Sequence, residues 1–255
     1  LQTPRAIRKL RRRLRTAVAT RKQRRHALVG PLALWRQKRD FQIAFLRDQG
    51  LEPRHTLCDL GCGTLRGGIP IIEHLEVGHY TGIDVRPEVI EEARRELAEH
   101  RLEHKRPELV AATDLTQVHL GRRFDVIWAF AVLIHMSDEV LAGALAFVAE
   151  HLAPDGRFFA NVNLGERPSA RWRGFPVVWR PLAFYQARAA AAGLEVTDLG
   201  EVRDFGHVTG DERGDTKHML VFRHARSPVG PAGTEEARDA PAGVSGPGPA
   251  PGGRG

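Results

Sequence analysis

Thr56-Leu57-Cys58-Asp59-Leu60-Gly61-Cys62-Gly63-Thr64-Leu65-Arg66-Gly67-Gly68 is the stretch that decides the fold. Its first five residues read as a short apolar strand. The glycines after them mark a sharp turn in which a backbone can approach a ligand closely. A helix starting behind such a turn presents unpaired N–H groups, which favour an anionic group in front of them. One strand–helix unit later, Tyr80-Thr81-Gly82-Ile83-Asp84-Val85 ends a second strand in a carboxylate. A carboxylate in that position can accept hydrogen bonds from both hydroxyls of a ribose. Glycines after a strand also serve as plain turn residues; their pairing with Asp84 is what points to a nucleoside site.

Outward from this motif the pattern repeats. Apolar runs place strands over 54–60, 80–85, 109–112, 124–130, 157–162, 194–202 and 217–222. Helical spacing covers 69–75, 87–100, 138–152 and 182–192, and the turn Ala153-Pro154-Asp155-Gly156 precedes the fifth strand. An earlier helix carries Leu34, Trp35, Phe41, Phe45 and Leu46 and stops at Gly50. Strands alternating with helices predict an α/β fold, a mainly parallel sheet covered on both faces. The domain is expected over 31–224. It is flanked by a basic arm, 1–30, and by a tail, 225–255, rich in Pro, Gly and Ala, whose composition cannot bury enough surface to order it.

The nearest rival ligand is a nicotinamide dinucleotide. Its usual fingerprint needs glycine three positions after Gly63, and Arg66 stands there instead. In contrast, DLGCGTLRGG, YTGIDV, FDVIWAFAVLIHM and LAPDGRFFANVN, in this order, resemble the successive motifs of class I S-adenosylmethionine-dependent methyltransferases. The resemblance runs from about Thr56 to Phe222. It implies a Rossmann-like seven-stranded sheet whose last strand is antiparallel and inserted by a hairpin. It also implies S-adenosylmethionine as cofactor, with Asp59, Gly61, Cys62, Gly63, Thr64 and Arg66 around its methionine part. Asp84 and Val85 would lie at the ribose, Asp114 and Leu115 at the adenine, and Phe130 and Ala131 at the end of the fourth strand. One departure is Leu65, which stands where many members have a third glycine.

Several of these residues carry a second reading. Asp114 also suits a turn cap before Leu115. Arg66 either pairs with the carboxylate of the cofactor or covers a helix start. His135 follows the fourth strand, where an acceptor would lie, and is the candidate general base for a hydroxyl; the same position also serves structural histidines. For the acceptor, the segment Gly165–Tyr185 is the most informative. Its Arg171, Trp172, Trp179 and Tyr185 suit a flat or sugar-like ring bearing an acidic group, whereas the same aromatics could simply pack the loop onto the domain. The helix bearing Trp35, Lys38 and Gln42 is either a lid over the cofactor or an amphipathic helix on the sheet.

Composition bounds the rest. The chain has 255 residues and two cysteines, Cys58 and Cys62, both inside one motif, so no disulfide framework or zinc spacing is present. No apolar run reaches transmembrane length and no secretory signal is evident, so a reducing cytoplasm is expected. Every charged residue among the first 39 is Lys or Arg, so against a formal net charge of +7 the remainder is acidic. The arm places Ile7, Leu10, Leu14 and Val18 at helical spacing and has three readings: a solvated extension, a nucleic-acid contact or an anionic membrane contact. The sequence lacks the Asn/Asp-Pro-Pro-Tyr/Phe signature of base amino methylation, a Pro-Cys pair for ring-carbon methylation and a carboxylate set for a catalytic metal. These absences point to a small-molecule or glycan acceptor, methylated at oxygen. A nucleic-acid methyltransferase using the arm and a non-catalytic cofactor-binding partner module stand as alternatives.

Overall fold

The computed structural model describes Arg25, residues 28–30, 32–172 and 174–225. The arm before Arg25, with Ile7, Leu10, Leu14 and Val18, and the tail beyond 225 lie outside the described residues. The chain enters through helix α1 (Trp35–Asp48) and then alternates: β1 (Leu57–Leu60), α2 (Gly68–His74), β2 (Tyr80–Asp84), α3 (Pro87–Glu99), β3 (Glu108–Ala111), β4 (Phe124–Ala129) and α4 (Asp138–His151). After α4 come β5 (Leu152–Val162), a small hairpin of β6 (Ala170–Trp172) and β7 (Phe175–Val177), α5 (Leu182–Ala191), β8 (Leu194–Glu201), the short α6 (Glu212–Asp215) and β9 (His218–His224).

The main sheet has seven strands in the order β3-β2-β1-β4-β5-β9-β8. Neighbours from β3 to β5 are parallel, and β9 runs antiparallel to both β5 and β8. The last strand therefore inserts between β5 and β8, as the resemblance implies.

Side-chain alternation along the strands splits the core in two. On one face Leu57, Tyr80, Val126, Trp128, Phe159, Met219 and Val221 pack against α1, α2 and α3. On the other face Cys58, Leu60, Ile83, Ile127, Ala129, Phe158, Leu220 and Phe222 pack against α4 and α5. Phe45 of α1 sits over the centre of the sheet, with ring centroids 5.6 Å from Trp128, 5.5 Å from Phe159 and 5.3 Å from Phe205. The helix starts are built locally: Pro87 opens α3, and Ser137 caps α4 ahead of Asp138 and Glu139 in its first turn.

Two expectations need correction. The fifth strand does not wait for the turn at 153–156. It begins at Leu152, opposite Phe124, and the pairing slips before resuming at Val126 with Arg157, so the Pro-Asp-Gly run is taken up as an irregularity within the strand. The linker after β5 is also not plain loop, because it folds into the β6–β7 hairpin. No described helix is long and apolar enough to cross a membrane.

Candidate functional site

A cavity of about 530 Å³ opens where the strand order reverses between β1 and β4, at the C-terminal strand ends. Gly61 and Gly63 form its floor with φ of +70° and +58°. A Cβ on Gly61 would stand 2.4 Å from Val132 Cγ2, and one on Gly63 2.7 Å from Val29 Cγ1, so no side chain fits at either place. Leu65 itself takes the left-handed conformation, at φ +60°, and its side chain is wholly buried. Burial of leucine thus holds the turn that a glycine would make freely.

Asp84 ties the loop to the end of β2. Its Oδ2 accepts from the Gly63 N–H at 3.1 Å, and its Oδ1 accepts from the backbone N–H and Nε of Arg86 at 3.0 and 3.2 Å. A carboxylate offers about four lone-pair sites. Oδ2 therefore keeps one free acceptor position, and Oδ1 gains one when the Arg86 side chain swings away.

Asp59 lies beneath the loop, nearly fully buried, and accepts from the Tyr80 hydroxyl at 2.7 Å. Burial pushes its carboxyl up to about 7, outweighing the Tyr80 hydrogen bond and the attraction of Arg66, and nearby Asp84 adds to the rise. Above it, Arg66 donates from Nη1 to the Val29 carbonyl at 3.0 Å and lies 5.9 Å over the Trp35 ring. Burial lowers Arg66 to about 10, against the pull of Asp59, and its Nε has no hydrogen-bond partner among the described residues.

Ionising Asp59 costs stability in the folded state between the ordinary carboxyl value of about 4 and its folded value. The variant Asp59→Asn keeps an oxygen for Tyr80 and carries no charge. Its melting temperature relative to wild type is therefore expected to climb as pH rises from about 4 to 7. Taking the difference removes the opposing contributions of His135 and His207, whose lowered values make stability fall as pH drops below about 6.5. A difference that stays flat across this window would mean an unshifted Asp59.

Beyond the loop, the fourth strand delivers Phe130 and Ala131 to the cavity. Phe130 stacks on Trp128 at 5.7 Å, and Trp128 donates from Nε1 to Gln42 Oε1 at 3.0 Å. Ala131 has φ +61° and donates its N–H to Asn161 Oδ1 at 2.6 Å. His135 follows on a short turn, half-buried, with Nδ1 2.7 Å from the Pro176 carbonyl and its ring stacked 5.4 Å from Trp172. A carbonyl only accepts, so Nδ1 carries the proton and Nε2 keeps its lone pair. Burial holds the imidazole below its ordinary value; the Pro176 bond opposes this and the charge of Lys217 adds to it. The β6–β7 hairpin forms a wall here, with Arg171, Trp172 and Phe175 on the cavity, and Trp179 follows. It is pinned by Asn163 Nδ2 to the Val178 carbonyl at 2.9 Å and by the Val178 N–H to the Ile134 carbonyl at 3.0 Å.

Of the residues singled out from sequence, Asp59, Gly61, Cys62, Gly63, Arg66, Asp84, Val85, Leu115, Phe130, Ala131, His135, Arg171, Trp172 and Trp179 come together on this cavity. Four do not. Tyr185 is fully buried in α5 on the far face of the sheet, where the helix turns Tyr185 and Ala189 inward. Asp114 is exposed and caps the turn after β3, accepting from the Thr116 N–H and Oγ1 at 2.9 and 2.7 Å, its second reading; Ala112 and Leu115 reach the cavity instead. Thr64 is buried behind the loop, and Trp35 stands under Arg66 rather than on the cavity. Sequence reasoning missed Asn163, Arg213 and Lys217, which arrive from separate late elements with no shared motif. It also missed Val29 of the arm, which covers Gly63.

The site suits a nucleoside cofactor with an amino-acid tail. Asp84 can take hydroxyls, Val85 and Leu115 can offer apolar contact to a base, and the glycine backbone with Arg66 suits a carboxylate.

The sequence model of a methyltransferase-domain family matches residues 58–158. The fold is similar to magnesium protoporphyrin IX methyltransferase from Synechocystis with S-adenosylmethionine bound, at 18% identity over 88% of this chain and 100% of that one, TM-score 0.59. It is similar to a methyltransferase from Streptomyces caelestis, at 16% identity over 77% of this chain and 92% of that one, TM-score 0.57. A glycopeptide N-methyltransferase complexed with S-adenosylmethionine shares 15% identity over 72% of this chain and 94% of that one, TM-score 0.55. No curated protein matches the sequence.

Proposed function

We propose that the chain is a class I methyltransferase that uses S-adenosylmethionine, as the methyltransferase-domain match over residues 58–158 and the shared fold support, and that it methylates an oxygen of a small-molecule or glycan acceptor, with His135 as the base. The observation that carries this reading is the state of His135. Its Nδ1 is committed to Pro176, burial favours the neutral ring, and it lines the cavity. A neutral imidazole with a free Nε2 is what a hydroxyl acceptor needs, because the proton must leave as the new bond forms. When bound, S-adenosylmethionine supplies an electrophilic methyl group on a positively charged sulfur. The protein's share is alignment and the exclusion of water. Asp84, the glycine loop and Arg66 would hold the cofactor, while Ala131, fixed by Asn161, and the stacked Phe130 would set the floor between donor and acceptor. Trp172, Phe175 and Trp179 provide flat apolar walls for a ring.

The structural neighbours methylate acceptors of different kinds, a porphyrin and a glycopeptide among them. The aromatic hairpin favours a ring of modest size for this chain. The nucleic-acid alternative is weakened at the one arginine of the arm that is described. Arg25 is buried, donates from Nη2 to Glu99 at 2.5 Å and pairs with Glu96 at 2.6 Å on α3, so it is not free for a phosphate.

The test is a screen of phenols, sugars and hydroxy acids against amines and RNA, read as S-adenosylhomocysteine released. Turnover confined to hydroxyl compounds is expected. Turnover on RNA, lost when residues 1–24 are removed, would replace this reading with the polymer one, and turnover on amines alone would remove the oxygen assignment.

A further inference from the structure

The charges around the cavity do not balance. Among the described residues its wall carries six cationic side chains, Lys38, Arg66, Arg86, Arg171, Arg213 and Lys217, against the carboxylates of Asp59, Asp84 and Asp211. Two of those carboxylates are already engaged, Asp84 by Arg86 and Gly63, and Asp59 by Tyr80. The cofactor brings one carboxylate but also an ammonium and a sulfonium, so its arrival adds positive charge.

Lys38 and Lys217 stand out within this excess. Lys38 projects from the second turn of α1, and Lys217 sits just before β9; both are half-buried on the cavity. The Lys38 ammonium has no hydrogen bond or ion pair to any described residue; only its carbonyl is engaged, by Gln42 Nε2 at 2.9 Å. Lys217 gives one proton to the Arg213 carbonyl at 3.1 Å and keeps two. Asp211 is exposed nearby and attracts both. Asp215 is engaged by the Thr209 N–H and hydroxyl and by the Gly210 N–H, and it lies 3.3 Å from His207 Nδ1. His207 is wedged between Phe41 and Phe130 and held neutral. Burial together with the charges of Arg66 and Lys217 pulls Lys38 down to about 8. Half-buried ammonium groups on one cavity wall are relieved most directly by an anion beside them.

We propose that Lys38 and Lys217 form an anion subsite in the acceptor half of the cavity, so that the methyl acceptor carries a carboxylate or phosphate group. This rests on the methyl-transfer reading above. Arg66, beside the glycine loop, serves the cofactor's own carboxylate, which leaves the two lysines for the acceptor.

The experiment uses the full chain saturated with S-adenosylhomocysteine, so that the cofactor carboxylate site is filled. Benzoate, its neutral isostere benzamide and inorganic phosphate are then titrated by calorimetry. Benzoate and phosphate are expected to bind, and benzamide about tenfold more weakly or worse. Lys38→Met and Lys217→Met should each weaken benzoate by about tenfold, Lys217→Arg should retain it, and S-adenosylhomocysteine affinity should not change in any variant. Equal binding of benzoate and benzamide, or no binding of either anion, would overturn the subsite. So would loss of S-adenosylhomocysteine affinity in the lysine variants, which would assign them to the cofactor. If S-adenosylhomocysteine fails to bind the wild type, the methyl-transfer reading is what falls, and the same titration on the free protein still decides the subsite.

Discussion

Asp84→Ala is expected to weaken S-adenosylhomocysteine binding by about a hundredfold or more, measured by calorimetry. A hydrogen bond to a charged acceptor contributes about 1.5–3 kcal/mol, so losing two from ribose hydroxyls spans about a hundredfold to ten-thousandfold. The substitution also frees the Gly63 N–H and the Arg86 side chain, both of which this carboxylate now anchors. Asp84→Asn separates the two effects. Its amide is the size of the carboxylate, but it must turn its NH₂ either toward the Gly63 N–H or toward the Arg86 donors, so a donor faces a donor and affinity still falls. Both variants should retain the wild-type melting transition to within a few degrees, because Asp84 lies at a strand end and not in the apolar core. Full affinity in Asp84→Asn would show that the carboxylate does not meet the cofactor.

The fold and half of the site were legible for one reason: their signals are local. The glycine loop, the acidic strand end and the strand–helix alternation are encoded within a few residues of where they act. The helix boundaries over Pro87–Glu99 and Asp138–His151 fall within a residue or two of the periodicity for the same reason. What sequence reasoning missed depends on long-range assembly. Lys217 reaches the cavity that Lys38 lines only because β9 returns between β5 and β8. Tyr185 looked like an acceptor residue because it follows Trp172 and Trp179 in sequence. The helix that carries it covers the opposite face, so a run of neighbours in sequence is divided between cavity and core. Asp114 is placed differently: it caps its own turn by accepting from Thr116 two residues on, and it stands off the cavity lining. Leu65 went the other way. The missing glycine left the path of the loop open, and a buried leucine in a left-handed turn keeps it.

His135→Ala is expected to lower turnover by about a hundredfold to ten-thousandfold, the span of general base catalysis, with cofactor affinity unchanged. The split follows from position. His135 lies on the turn after β4, toward the β6–β7 hairpin, whereas Asp84 lies at the end of β2. The variant also removes the ring that stacks on Trp172, so part of any loss reflects a looser hairpin. His135→Gln addresses this, because its amide can still donate to the Pro176 carbonyl while offering no basic nitrogen. If proton removal is the role, turnover stays low in His135→Gln; if the role is only to hold the hairpin, it recovers. The pH profile gives an independent reading. The base must be neutral, and burial keeps His135 below the ordinary imidazole value of about 6.5. Wild-type turnover should therefore be flat near neutrality and fall only as pH drops well under that value, and the acid limb should vanish in both variants. An acid limb that persists unchanged in His135→Gln would move the proton transfer to another group and leave His135 as a hairpin support.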